Sequence, residues 1–135
     1  MLTAEIVMKA QFYDLDPMSV VWHGNYARYL EEARCALLER IGYSYVEMRD
    51  SGYLWPIVDM RIRYVAPLRE SQEFVVTATL VEYEHRIRID YRICDLTSGD
   101  VLTKARTDQV AVNAATGELC LESPSVLIDK VQAVL

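Results

Sequence analysis

The chain of 135 residues predicts an α+β domain, an antiparallel sheet of about five strands wrapped on one long helix. Two observations carry this. Apolar residues alternate with polar ones in several separated segments, the signature of half-buried strands. Only one long stretch, Gly24–Ile41, changes to helical spacing, and four strand-like segments follow it in succession. That helix must bury its apolar stripe, and only the sheet offers a face wide enough.

The elements follow in order. Glu5–Phe12 alternates, with Ile6, Met8, Ala10 and Phe12 on one face and Glu5, Val7, Lys9 and Gln11 on the other. In Gly24–Ile41 the stripe is Tyr26, Tyr29 or Leu30, Ala33, Leu37 and Ile41, with Arg28, Glu31, Glu32 and Arg34 outside; Gly42 is a natural C-terminal stop. Ser44 and Glu47 have capping-box spacing, so Tyr45–Asp50 is a short helical turn closed by Gly52. Ile57–Val65 sets Val58, Met60, Ile62 and Tyr64 against Asp59, Arg61 and Arg63. Glu73–Glu82 is nearly all apolar or Thr, as a strand covered on both faces would be. Arg86–Ile93 sets Ile87, Ile89, Tyr91 and Ile93 against Arg86, Arg88, Asp90 and Arg92. Leu102–Asn113 is joined to it by a turn at Thr97–Asp100, and Ala115–Glu118 is a second turn. Ser125 caps a terminal helix carrying Val126, Leu127, Val131 and Val134.

No Pro/Gly/Ser-rich linker, repeat or low-complexity run divides the chain, so residues 1–135 are expected to form a single domain. A formal charge of −6 argues against a nucleic-acid or anionic-membrane partner, which it would repel. Cys35, Cys94 and Cys120 are odd in number and widely spaced, so neither a disulfide framework nor a zinc site is predicted. With no leader-like opening and no apolar run of about 18 residues, the expected compartment is the cytoplasm. Asp14, Asp16 and His23 lack a recognised metal-ligand spacing, and no metal is expected. A Ser or Cys hydrolase is disfavoured because no G-x-S-x-G or recognisable Cys nucleophile motif is present. A curled sheet with open edges is commonly completed by a second copy, so a homodimer is predicted.

The stretch Phe12–Arg34 holds the chemistry. Asp14 and Asp16 sit in a loop before His23 and the long helix, pairing a carboxylate with the electropositive start of a helix. On the residues alone, both aspartates also read as turn caps, Asp16 standing before Pro17. Tyr13, Asp14, Asp16, Pro17, Val20, Val21, Trp22, His23, Asn25 and Tyr26, then Glu32, Ala33 and Arg34, resemble the hot-dog-fold acyl-CoA thioesterases of the 4-hydroxybenzoyl-CoA thioesterase-like group. The element order and length agree across roughly the whole chain. One departure is Ser19, at a position where that family usually carries Gly.

The resemblance implies hydrolysis of an acyl-CoA thioester to a carboxylic acid and free thiol, with coenzyme A as part of the substrate and no cofactor. It implies Asp16 as nucleophile or general base, and the backbone N–H at His23 as the donor that polarises the thioester oxygen. Losing one such donor typically costs on the order of 3 kcal/mol. The imidazole of His23 either orients substrate or water or bonds locally. Asp14 is expected to order the loop. Trp22 and Tyr26 are expected to line the acyl pocket, whereas Trp55 and Pro56 are assigned to core or subunit contact. Arg86 and Arg88 are expected to hold the coenzyme's phosphates, against the plainer reading of a solvated strand face. Assembly as a homodimer or homotetramer is implied, with an acyl carrier protein as an alternative carrier and a non-catalytic acyl-thioester binding module as a rival.

Overall fold

Alternation and helical spacing translate into a curled sheet holding a helix against one of its faces. The computed structural model describes residues 1–135. Its elements are β1 (Thr3–Lys9), α1 (Tyr26–Ile41), α2 (Tyr45–Asp50), β2 (Tyr53–Leu54), β3 (Ile57–Tyr64), β4 (Glu73–Glu82), β5 (Ile87–Asp95), β6 (Val101–Gln109), β7 (Val112–Asn113) and α3 (Ser125–Val134). Five strands form one antiparallel sheet in the order β1-β4-β5-β6-β3, and β2 pairs with β7 apart from it. The register sets Tyr91 beside Ala78 on one side and Ala105 on the other. No helix is long and apolar enough to cross a membrane.

The core lies between α1 and the inner face of the sheet. Tyr29, Leu30, Ala33, Leu37 and Leu38 of α1 are buried with Phe74, Val76 and Ala78 of β4 and Ile87, Ile89 and Ile93 of β5. Each such aliphatic side chain contributes about 2 kcal/mol of transfer free energy. α1 ends where expected: Gly42 adopts φ 80, and its N–H bonds the Leu38 and Glu39 carbonyls. Ser44 and Glu47 form the reciprocal capping box that starts α2. Ala115–Glu118 and Thr97–Asp100 are turns, the first tied by the Asn113 carboxamide oxygen, the second by the Asp95 carboxylate.

Several expectations need correction. β1 stops at Lys9, and Phe12 is 77% exposed, not an inward strand residue. The Gln11 N–H bonds the Asp14 carboxylate and folds Phe12–Asp14 into a single 3₁₀ turn, which ends the alternation. The outer face of β4 is only half covered, because no layer packs there; Val75, Thr77 and Thr79 are partly exposed. The long last strand is broken: after Gln109 the chain leaves the sheet, and β7 pairs with β2. Pro124, not Ser125, caps α3, its carbonyl accepting from the Leu127 and Ile128 N–H groups.

Arg34 also reverses its expected place. It is 4% exposed, donating to the Tyr45 hydroxyl at 2.7 Å and the Tyr91 hydroxyl at 3.3 Å. A long basic side chain stays buried at this position because phenolic oxygens reach its guanidinium there. On β3, Val58, Met60 and Tyr64 are exposed although they stand on the apolar side of the pattern. α1 packs chiefly across β1 and β4, so this edge strand is covered only in part, at Ile62 and beside Tyr26.

Candidate active site

The loop before α1 is a chain of turns with defined fixings. The Asp16 N–H bonds the Val20 carbonyl at 2.8 Å and the Ser19 N–H bonds the Asp16 carbonyl at 3.0 Å, closing a tight turn with Pro17 near its apex. Ser19 stands at φ 63, in the left-handed region. This is a conformation that the Gly expected here from the resemblance adopts freely, and Ser19 holds it at a cost on the order of 1 kcal/mol. Ser19→Gly is expected to keep activity and to raise the melting temperature slightly, by up to about 2 °C. A thermal melt showing clear destabilisation would mean that the turn is not strained at Ser19.

Within this turn the two oxygens of Asp16 differ. Oδ1 accepts from the Met18 N–H at 2.8 Å and the Val20 N–H at 3.4 Å, while Oδ2 has no hydrogen-bond partner. One oxygen orients the carboxylate and the other is free to act. Asp16 lines a cavity of about 280 Å³ together with Val20, His23, Tyr26, Tyr64 and Pro67.

Asp14 is the anchor of the loop. It is 2% exposed, and its carboxylate accepts from the Gln11 N–H at 3.0 Å, the Arg28 guanidinium at 2.6 Å and the Tyr29 hydroxyl at 2.9 Å. Its carbonyl accepts from the Trp22 N–H and the Asn25 side chain. Burial pushes the carboxyl up, but these donors together hold it below its ordinary value; the same pairing and burial push the Tyr29 hydroxyl up. The loop-ordering role expected of Asp14 agrees with this geometry.

His23–Asn25 form a 3₁₀ turn that leads into α1. The N–H groups of His23 and Gly24 meet no acceptor, as the first amides of a helical run do not. The His23 imidazole is exposed, with its ring 5.3 Å from that of Trp22. Trp22 lies over Gly24, where an added Cβ would meet the indole at 2.4 Å; glycine is required for that approach. Trp22 is thus placed on the outer side of the helix entrance and does not line the Asp16 cavity.

Tyr26 does line it, buried and edge-to-face with Tyr64 at 4.8 Å. Tyr64 is a site residue that sequence reasoning missed: its hydroxyl donates to the His23 carbonyl at 3.1 Å, tying the end of β3 to the helix entrance. The available signal was its place as the last inward residue of a strand. Trp55 is buried, with its indole N–H toward the Tyr43 hydroxyl, and belongs to the core.

Arg86 and Arg88 are not brought to this cavity. Arg88 makes a two-pronged pair with Asp108 at 2.7 and 3.0 Å, and Arg86 lies 3.3 Å from Glu82 and 3.7 Å from Asp108. Both charges are already met by acids. Asp108 is held below the ordinary carboxylate value, chiefly by its bonds to Arg88.

Comparison with known proteins fits this arrangement. A sequence profile described as the thioesterase-like superfamily matches residues 10–133. YneP of Bacillus subtilis, provisionally named an acyl-CoA thioesterase, is 29% identical over 78% of this chain and 77% of its own. The chloroplastic acyl-acyl carrier protein thioesterase ATL3 of Arabidopsis thaliana is 31% identical over 76% of this chain and 54% of its own. The DHNA-CoA thioesterase of Staphylococcus aureus superposes with a TM-score of 0.84 at 25% identity, covering 99% of this chain and 93% of that one. The chain therefore belongs to the thioesterase-like superfamily, and its sheet wrapped on one helix is the hot-dog fold of thioester hydrolases.

Proposed function

We propose that the protein hydrolyses acyl-CoA thioesters at the Asp16 cavity. The observation that carries this is the unequal carboxylate of Asp16, one oxygen fixed by two backbone amides and the other free in a cavity beside unpaired helix-entrance amides. The His23 N–H, strengthened by the positive end of α1, supplies the donor for the negative charge that develops on the thioester oxygen. Asp16 Oδ2 either attacks the carbonyl carbon, expelling the thiolate and leaving an anhydride for water to cleave, or removes a proton from the water that attacks. Repeated turnover in oxygen-labelled water separates the two, since only the first route, with water opening the anhydride at the Asp16 carbonyl, leaves label in the Asp16 carboxylate. The deciding experiment for the activity is turnover of a panel of aromatic, short and long acyl-CoAs. Failure on every member, with the protein folded, would overturn the enzyme reading in favour of a binding module.

A second reading shares the chemistry but changes the carrier, and the likeness to the plant acyl-acyl carrier protein thioesterase favours it. Comparing kcat/KM for one acyl group on coenzyme A and on an acyl carrier protein decides between them.

The active unit is proposed to be at least a homodimer, with the tetramer as a pair of such dimers. β3 ends the sheet with an unpaired edge and exposes Val58, Met60 and Tyr64, and the nearby loop exposes Phe12, Tyr13 and Met18. Such surface is normally covered. Light scattering is expected to report two or four copies at micromolar concentration. A stable, fully active monomer would refute the assembly.

A further inference from the structure

The outer face of the sheet carries a graded charge pattern. Its outward residues fall into cross-strand rows, and the row at one end brings Arg63 of β3 directly opposite Lys104 of β6, with Arg92 of β5 opposite Lys104 on its other side. All three are exposed, and none takes part in an ion pair. In the next rows only Arg61, at the β3 edge opposite Arg106, is left without an acid. Arg106 is clasped by Asp90 at 2.6 Å and Arg88 by Asp108 at 2.7 Å. Like charges directly opposite on paired strands oppose folding, and an acidic chain has ample carboxylates to place between them. Three adjacent cations left unneutralised are therefore a local anion site in waiting.

The row is also continuous with the Asp16 cavity. A groove of about 530 Å³ is lined by Arg63, Tyr64, Val65, Val101 and Lys104. It shares Tyr64 and Val65 with the Asp16 cavity, and Arg63 and Lys104 with a depression of about 540 Å³ on the outer face that Arg92 also lines. The groove turns round the end of the β3–β6 ladder, where Val65 and Ala66 donate to the Leu102 carbonyl, so it leaves the edge of β3 free to pair. With strands spaced about 4.8 Å apart, the three cations span about 10 Å, enough for two or three phosphate groups.

We infer that Arg63, Lys104 and Arg92 bind the phosphate groups of the thioester's carrier, while the acyl arm follows the groove past Tyr64 to Asp16. The inference rests on the thioesterase reading above and moves the phosphate contacts away from Arg86 and Arg88, whose charges are met within the chain. Arg63 and Arg92 supply forked donors suited to phosphate, and Lys104 a point charge between them.

The test uses adenosine 3′,5′-bisphosphate as the probe, titrated by calorimetry. Saturable, salt-sensitive binding is expected, weakened about tenfold by Lys104→Gln as one charge-assisted contact is lost and abolished when Arg63 and Arg92 are also changed to Gln. Lys9→Gln, outward on the opposite edge strand, should leave it unchanged. The row variants should melt at or above the parent temperature, because relieving like-charge contacts cannot harm a row that serves only to bind. They should raise KM for acyl-CoA and leave the turnover of an acyl-pantetheine lacking the nucleotide unaltered. If the parent binds no bisphosphate, or the row variants bind it as the parent does, the inference is wrong even though thioester turnover continues. If they change only KM for an acyl carrier protein thioester, the row docks an acidic protein and the inference is equally overturned. Absence of turnover on all thioesters would instead remove the underlying activity, whatever the bisphosphate does.

Discussion

Asp16→Asn is expected to lower kcat on acyl-CoA by about a hundredfold or more, with KM nearly unchanged and the melting temperature within about 2 °C of the parent. The substitution keeps Oδ1, so the amides of Met18 and Val20 retain their acceptor and the turn keeps its shape. What is lost is the negative charge and lone pairs at the position of Oδ2, which holds no partner in the folded protein and therefore contributes little to stability. The selectivity of the effect is the point: an aspartate that merely capped the turn would show the reverse pattern, a lower melting temperature with turnover preserved. Steady-state kinetics beside a thermal melt make the distinction, and near-normal kcat would end the role assigned to Asp16.

Much of the fold was legible in the sequence because it depends on periodicities that the core enforces. The stripe from Tyr26 to Ile41 and the alternation from Ile87 to Ile93 survive unaltered, since each buried position there faces a close-packed neighbour. Departures cluster where tertiary context overrides local pattern. Phe12 continues the alternation of β1 on paper, yet β1 ends at Lys9 and the Gln11–Asp14 capping contact turns the chain at Gln11. Arg34 was placed in solvent by its charge, because nothing local reveals that Tyr45 and Tyr91, 11 and 57 residues away, supply its acceptors. Of the candidate site, the Asp16 loop and the helix entrance were legible as a loop running into α1. Tyr64 was visible only as the last residue of the β3 pattern, since its contact with His23 spans 41 residues. The charges of Arg86 and Arg88 were visible, but their neutralisation by Asp108 required the strand register.

Asp14 predicts the largest loss of stability. Asp14→Ala is expected to cost about 3 kcal/mol, which is roughly 10 °C in melting temperature for a chain of this size. The deletion strands the Tyr29 hydroxyl in the core and frees the Gln11 amide, while Arg28, half in solvent, is rehydrated at little cost. Asp14→Asn retains one acceptor and should cost about 2 kcal/mol. For either variant kcat of the protein that remains folded should fall far less than for Asp16→Asn, since Asp14 orients the loop and does not reach the cavity. Acid provides an independent check. The folded carboxyl titrates below its ordinary value of 3.8, so its contribution is fully present above that value and is lost as pH falls through the lower, folded one. The stability gap between parent and Asp14→Asn should therefore stay constant from neutral pH down to about pH 5 and close progressively below about pH 4. Measuring the difference matters, because Asp95 and Asp108 are also held below the ordinary value and add to the parent's own acid limb. A gap that persisted undiminished into strong acid would show that Asp14 stabilises the loop by shape alone, without the charge that Arg28 and Tyr29 are arranged to meet.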